Sequence, residues 1–476
     1  MKKLYILLIL ILSVVPSFIF AQNLVSATNL GRVTTEDLGP SFAFLVSYDM
    51  NQYKITYTTK DVFGEETVAS GLVVVPEIEG FALPTTVYQH GTVFDRAAVP
   101  SNNVGEAFVG QVLAGSGYVA VLPDYLGLGD NPGIHPYLHA DTEASVAIDM
   151  LFAVEELAEQ EGFVLNDQLF VTGYSQGGHA AAALHRSLQE DFSDVFNVTA
   201  AAYGAGPYDL SGITRQAYLV DEDFFFPGYS LSTFVMLNYV YQLFDGTSAY
   251  LKAPYAGMVD LYIQDSVNLE ELNDLVLPAL VEQTGSSVIK DMFQDSIINI
   301  MTVNDPAHPL VAAFRDNDVY EWAPQAPTRM YYCVGDNTVS YLNSVLADSV
   351  MQSLGAVDLQ ALNLGDNLDH VDCAFPAILG IWSFFGGFRE FTTNTEELEL
   401  EDVIELFPNP ASSKLFIRGA SLDAQLTLFN AQGQYLRQIR VQDYVQELDI
   451  ADLQRGVYWI QLSGEQGVGM KKFVKQ

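Results

Sequence analysis

Between residues 22 and 391 the chain alternates short runs, several of them nearly continuous apolar stretches, with longer amphipathic ones. The short runs are "TTVYQH" (85–90), "YVAVLPD" (118–124), "DQLFVTGYS" (167–175), "VTAAAYGAG" (198–206), "TRMYYCVG" (328–335) and "VDLQALNLG" (357–365). Apolar runs without polar alternation suit strands buried on both faces of a mainly parallel sheet. Ahead of them, "QYKITYTTK" and "TVASGLVVVP" read as paired edge strands. Helical periods separate the strands, in "GEAFVGQVLAGSG", "DTEASVAIDMLFAVEELAEQ" and "GGHAAAALHRSLQEDF". Strand and helix in alternation predict an α/β fold whose sheet is covered on both sides.

The stretch from Pro207 to Pro327 is too long for an ordinary connection between strands. It holds the helical periods "STFVMLNYVYQLF", "NLEELNDLVLPALVEQ" and "SVIKDMFQDSIINIM". These predict a helical cap over about 207–327, inserted above the sheet. Phe224, Phe225, Phe226, Tyr229, Phe234 and Tyr239 either line an apolar pocket beneath the cap or pack its own core.

Composition changes after Phe391. Residues 392–405, "TTNTEELELEDVIE", are polar and acidic with little to bury, and read as a linker. Residues 406–476 return to apolar–polar alternation broken by turn signals at Asn430 through Gly433 and at Arg455-Gly456. That pattern predicts short antiparallel strands in a small β-sandwich. At the other end, Lys2 and Lys3, an apolar core from Leu4 to Leu12 and the small residue Ala21 read as a signal peptide over 1–21. A membrane anchor fits less well, because Ser13 and Pro16 interrupt the apolar run.

The chain carries 21 Lys+Arg against 59 Asp+Glu, a formal net charge of -38. Such a surface repels phosphate backbones and anionic bilayers, so neither nucleic acid nor an anionic membrane is an expected partner. With hydrophobic residues at 49%, disorder is excluded for most of the length.

Candidate chemistry centres on "VTGYSQGGHA", residues 171–180, where Gly173, Ser175 and Gly177 fit Gly-x-Ser-x-Gly. In that pattern a strand turns sharply into a helix and leaves a serine hydroxyl at the tip. Ser175 as a mere helix cap is the alternative, but it leaves unexplained a buried strand that runs straight into the serine. A hydroxyl needs a base to take its proton. In sheets of this type acid and then base follow the nucleophile in the chain. His90, His135 and His139 precede Ser175, His179 and His185 ride the helix leaving it, and His308 lies before the last two strands. His370, just after the final strand, remains. Asp336, immediately beyond the preceding strand, is the acid by position, with Asp366 and Asp369 as competitors. The backbone amides of Gln176 and Thr92 are the expected oxyanion donors, with Gly91 close behind Thr92. No metal-ligand spacing and no phosphate-cradling glycine loop is present, so no cofactor is expected. Cys333 and Cys373 each lie three residues from Asp336 and His370, near enough for a disulfide if those two meet; buried free thiols fit as well.

Two resemblances follow from these motifs. Phe407-Pro408-Asn409-Pro410, "FNAQGQ", "LDIADLQRGVYWIQL" and the closing "KKFVKQ" resemble the C-terminal sorting domain of the type IX secretion system, which implies that machinery as a partner and export across the outer membrane. "YQHGT", "LPDYLGLGDNPGIHPYLH", "GYSQGGH", "WAPQAPTRMYYCVGDNTV" and "DHVDCAFPA" resemble the secreted lipase and esterase branch of the α/β-hydrolase superfamily. That likeness implies an α/β-hydrolase fold, a triad of Ser175, Asp336 and His370, and small-molecule or lipid acyl esters as substrates. The chain departs from such relatives at Ser340 and Val371, where proline and glycine are common. The expectation is an exported carboxylic ester hydrolase. A serine peptidase of the same fold and an inactive surface-binding protein are the alternatives.

Overall fold

A computed structural model describes residues 23–39, 42, 44–393, 405–418, 424–430, 435–442, 445–464 and 467–476. The signal peptide read at 1–21, residues 394–404 of the linker and positions 431–433 of one turn lie outside the described residues. The chain divides into two compact units, one of residues 1–78 and 83–390, the other of 79–82 and 391–476.

The larger unit is built on a sheet with strand order β1-β2-β3-β5-β4-β6-β7-β8-β9. These are β1 (Leu24–Val33), β2 (Met50–Lys60), β3 (Glu66–Pro76), β4 (Phe81–Gln89), β5 (Val119–Pro123), β6 (Val164–Tyr174), β7 (Val198–Gly204), β8 (Thr328–Tyr332) and β9 (Leu359–Asn363). β2 and β3 form a hairpin in register from Met50↔Pro76 to Lys60↔Glu66. Its turn is held by Asp61, whose Oδ1 accepts the Phe63 and Glu65 amides. β4 and β5 run parallel, as do β6 through β9. β1, antiparallel to β2, was not anticipated. Apart from Leu24 it is largely exposed, so burial left no apolar signature in its sequence.

Alternation along β7 shows how the sheet is covered. Ala200 and Ala202 pack with Ile381 and Phe385 of the helix His370–Gly386. Tyr203, pointing the other way, meets His185 of helix α3 (Gln176–Asp191). Helix α1 (Ala107–Gly115) joins the first face by packing Val109 and Leu113 against Ala120 and Leu122 of β5. Helix α2 (Ala140–Glu161) packs beside α3 and ends at Gly162, whose φ of 78° suits the left-handed stop that glycine tolerates.

Between β7 and β8 the chain forms the helices Gly228–Tyr241, Tyr255–Ile263, Leu269–Thr284, Asp295–Val303 and Pro309–Asp316. They enclose an apolar core of their own around Leu231, Phe234, Tyr250, Leu272 and Phe293. The run "SVIKDMFQDSIINIM" is not one helix as expected. It breaks at Phe293, which turns extended to bridge Leu251 and bury its ring. The C-terminal unit has a three-stranded sheet of Glu405–Phe407, Lys414–Arg418 and Val445–Asp449. A second, four-stranded sheet runs Tyr435–Arg440, Gln425–Asn430, Gly456–Gly464, Gly467–Lys475. Ile417 and Leu448 from the first sheet share one core with Leu426, Ile460 and Phe473 from the second, which makes a small β-sandwich.

His185 gives the larger unit a pH dependence. Burial pushes its pKa down to about 3, so the folded ring stays neutral while the unfolded ring protonates near 6.5. Stability is therefore present above 6.5 and lost as pH falls toward 3. At pH 5 the expected loss from this one ring is about 2 kcal/mol. Denaturant unfolding of His185→Gln should show a smaller drop between pH 7 and pH 5 than the wild type, and equal drops would contradict this.

Candidate active site

The candidate residues all leave strands at one edge of the parallel half of the sheet. Thr92 follows β4, Ser175 follows β6, Asp336 follows β8 and His370 follows β9. In open α/β sheets the edge at the carboxyl ends is where side chains from separate strands can converge.

Ser175 has φ 59° and ψ -123°, a conformation that costs a non-glycine residue roughly 1–3 kcal/mol. Its N–H donates to the Gly204 carbonyl and its own carbonyl accepts from Gly178 N, both at 2.9 Å. Close approach of three backbones completes the turn. A Cβ on Gly173 would lie 2.0 Å from the Gly177 carbonyl oxygen, and one on Gly177 would lie 1.9 Å from that of Gln89. The serine side chain makes no capping bond to α3. Its Oγ lies 2.8 Å from His370 Nε2 instead.

His370 Nδ1 lies 2.7 Å from Asp336 Oδ2. The other Asp336 oxygen accepts the Thr338 and Val339 amides at 2.9 and 2.8 Å, so this buried carboxylate is well provided with donors. Asp369 is used differently, accepting from Asp372 N to cap the helix that His370 begins. Asp366 accepts from the Asn363 side chain. Of the three candidate acids, only Asp336 meets the imidazole. The other histidines are engaged elsewhere: His308, for example, caps the helix Pro309–Asp316, and His139 meets Thr142.

Cys333 and Cys373 form a disulfide, which joins the segment leading to Asp336 to the first turns of the His370 helix. Tyr174, the residue before the nucleophile, donates its hydroxyl to the His370 carbonyl at 2.6 Å. The two departures from the lipase pattern are accommodated. Val371 is 78% exposed, and Ser340 accepts from Asn343 N at the head of the helix Leu342–Ser353.

Beside Ser175, Glu106 Oε2 accepts both the Gly91 amide at 3.1 Å and the Tyr88 hydroxyl at 2.6 Å. Gly91 is thus occupied, while Thr92 and Gln176 line a cavity together with Ser175. This cavity, open to solvent, spans about 670 Å³ counting the solvent space at its mouth and is walled mainly by apolar groups, among them Ile213, Tyr218, Phe224, Tyr229 and Val339. Of the six cap aromatics considered above, only Phe224 and Tyr229 line it. Phe234 is fully buried in the cap core, Phe226 packs on Phe94 at 5.1 Å, Tyr239 packs on Phe63 at 5.5 Å, and Phe225 is half exposed. Tyr174 and Glu106 were missed in the sequence, the first because it is a variable position inside Gly-x-Ser-x-Gly and the second because it belongs to no motif. Among the described residues no group of His, Cys, Asp and Glu could hold a metal ion, and no helix is long and apolar enough to cross a membrane.

Residues 405–476 match the family described as secretion system C-terminal sorting domain. The C-terminal unit is a sorting domain, and the chain is exported to the cell surface or beyond. Among solved structures, a proposed hydrolase from Legionella pneumophila is similar at 28% identity and TM-score 0.70, covering 77% of this chain and 98% of that one. The rice cell wall degrading esterase LipA from Xanthomonas oryzae is similar at 27% identity and TM-score 0.65, covering 76% and 96%. The larger unit has the α/β-hydrolase fold. Candida antarctica lipase A shares this fold at 15% identity and TM-score 0.56, covering 79% and 84%. Comparison with curated protein sequences finds no match.

The turn at Ser175 leaves no room for a methyl group at Gly177. Gly177→Ala should lose at least about 3 kcal/mol in denaturant unfolding, since the obstructing atoms are backbone. Gly257→Ala, where nothing lies within 4 Å of the added Cβ, is the control and should lose nothing. Equal stability of the two variants would contradict the packing described.

Proposed function

We propose that the protein is a secreted serine carboxylic ester hydrolase that works through an acyl-enzyme on Ser175. The observation that carries this reading is the continuous contact from Ser175 Oγ to His370 Nε2 and from His370 Nδ1 to Asp336, at 2.8 and 2.7 Å. Similarity to an esterase over most of the chain supports ester substrates.

Asp336 accepts a hydrogen bond from Nδ1–H and keeps the proton on that nitrogen, which leaves the Nε2 lone pair facing the serine hydroxyl. As Ser175 Oγ attacks the ester carbonyl, Nε2 takes its proton and Asp336 stabilises the imidazolium. The amides of Gln176 and Thr92 receive the charge that develops on the carbonyl oxygen. Collapse of the tetrahedral intermediate returns the proton from His370 to the leaving alcohol. Water, activated by the same imidazole, then releases the acid and restores the serine. The apolar walls of the cavity suit an acyl chain, with polar lining at Thr92, Ser175 and Gln176 and at Thr214, Thr338, Ser340 and Asn343.

The purified chain and its Ser175→Ala variant should be compared on p-nitrophenyl esters of increasing length and on proline-containing peptide amides. Ester turnover with a kcat lower by at least about 10⁴-fold in the variant is expected. Turnover of the peptides alone would make it a peptidase. Turnover of neither would leave a surface-binding role.

A further inference from the structure

Beneath the first turn of α3 lies a buried polar cluster that the triad does not use. Its centre is Glu143 of α2, only 1% exposed. Glu143 Oε1 accepts from Gln176 Nε2 at 3.0 Å, and Oε2 lies 2.7 Å from His179 Nδ1. The other nitrogen of His179 is 2.9 Å from the Asn317 carbonyl oxygen, which can only accept, so Nε2 carries a proton. A second proton must lie between His179 and Glu143, since two bare lone pairs at that distance would repel. The pair is therefore proton-bridged and sealed from solvent.

The remaining amide hydrogen of Gln176 points to His135 Nε2 at 2.9 Å. His135 donates through Nδ1 to the Leu126 carbonyl at 2.8 Å, which leaves Nε2 as an acceptor. Burial lowers the pKa of this ring to about 4, in keeping with a neutral imidazole. Both hydrogens of the Gln176 amide are thus committed, and reversing the amide would set its oxygen against a carboxylate and a lone pair. The side-chain oxygen of Gln176 is left buried without a protein partner. Leucine or methionine would fill the position without that loss, so packing alone does not account for glutamine here.

We propose that Glu143, braced by His179 and helped by His135, is a positioning residue that grips the Gln176 side chain and so aims the Gln176 backbone N–H at the oxyanion. The brace is anchored at its far end. Asn317 accepts from Ala140 N at the start of α2 and donates to Tyr241 of the cap, so its carbonyl is held in place under His179. The inference rests on the ester-hydrolase reading above and concerns the transition state only. Glu143 touches no reacting atom.

The test uses the whole purified chain, with Glu143→Gln, Gln176→Leu and the double variant. kcat and KM on a p-nitrophenyl ester are measured beside the inhibition constant of an alkyl boronic acid, which forms a tetrahedral adduct with the serine. Each single variant should lower kcat about 10- to 100-fold with KM within about twofold, less than the loss of a whole oxyanion donor. Boronate affinity should weaken by a similar factor, and the double variant should be no worse than the weaker single one. Unchanged kcat, unchanged boronate affinity despite lower kcat, or multiplicative losses would each overturn the proposal. Should Glu143→Gln fail to fold, Gln176→Leu, which keeps the Glu143–His179 pair, carries the same kinetic test. A wild-type chain without ester turnover overturns the ester-hydrolase reading as well, whereas an active wild type with unaffected variants overturns this one alone.

Discussion

The hydroxyl of Ser175 stands clear of the sheet because the backbone beneath it cannot relax. A serine at φ 59° would return to an ordinary strand or helix conformation if its neighbours allowed it. They do not, since the ends of β4 and β6 and the first turn of α3 meet backbone to backbone at Gln89, Gly173 and Gly177. The cost of the turn is roughly 1–3 kcal/mol, small beside the packing of the sheet that surrounds it. Given this fixed point, the other functional groups need only reach it from neighbouring strands.

Loops are ordinarily the least stable parts of a fold, so side chains brought together from them have to be tied down. Asp336 is held by two backbone amides and by its own burial. His370 is fixed at the start of a helix, by the Tyr174 hydroxyl on its carbonyl, and by the disulfide one turn further on. The acid is buried and adjacent, so its influence on the imidazole is of short range.

What could be read in the sequence follows from what burial leaves there. The inner strands of the parallel half are apolar on both faces and stand out as continuous runs, whereas the edge strand β9 is mostly exposed. β1 does not, because eight of its ten residues face solvent. The cap was legible as helical, but its break at Phe293 was not, since a buried aromatic at that spacing looks the same in a helix and in an extended bridge. Ser175, Asp336 and His370 were legible because glycine flanks, strand order and chain order limit the choice. The spacing of Cys333 and Cys373 allowed both a disulfide and free thiols, and only the meeting of their two segments decides between them. Glu143 was illegible. A single carboxylate on an amphipathic helix reads as solvent-facing until α3 is known to pack over it.

The central claim is that His370 and Asp336 make one hydroxyl, that of Ser175, unusually nucleophilic. Its most direct measurement is reaction of the intact chain with a fluorophosphonate ester, followed by mass spectrometry of the digested protein. One phosphonyl group per chain on the peptide containing Ser175, formed at least about a hundred times more slowly in His370→Ala, is the expected result. No adduct, an adduct on another residue, or equal rates in the two proteins would contradict the account.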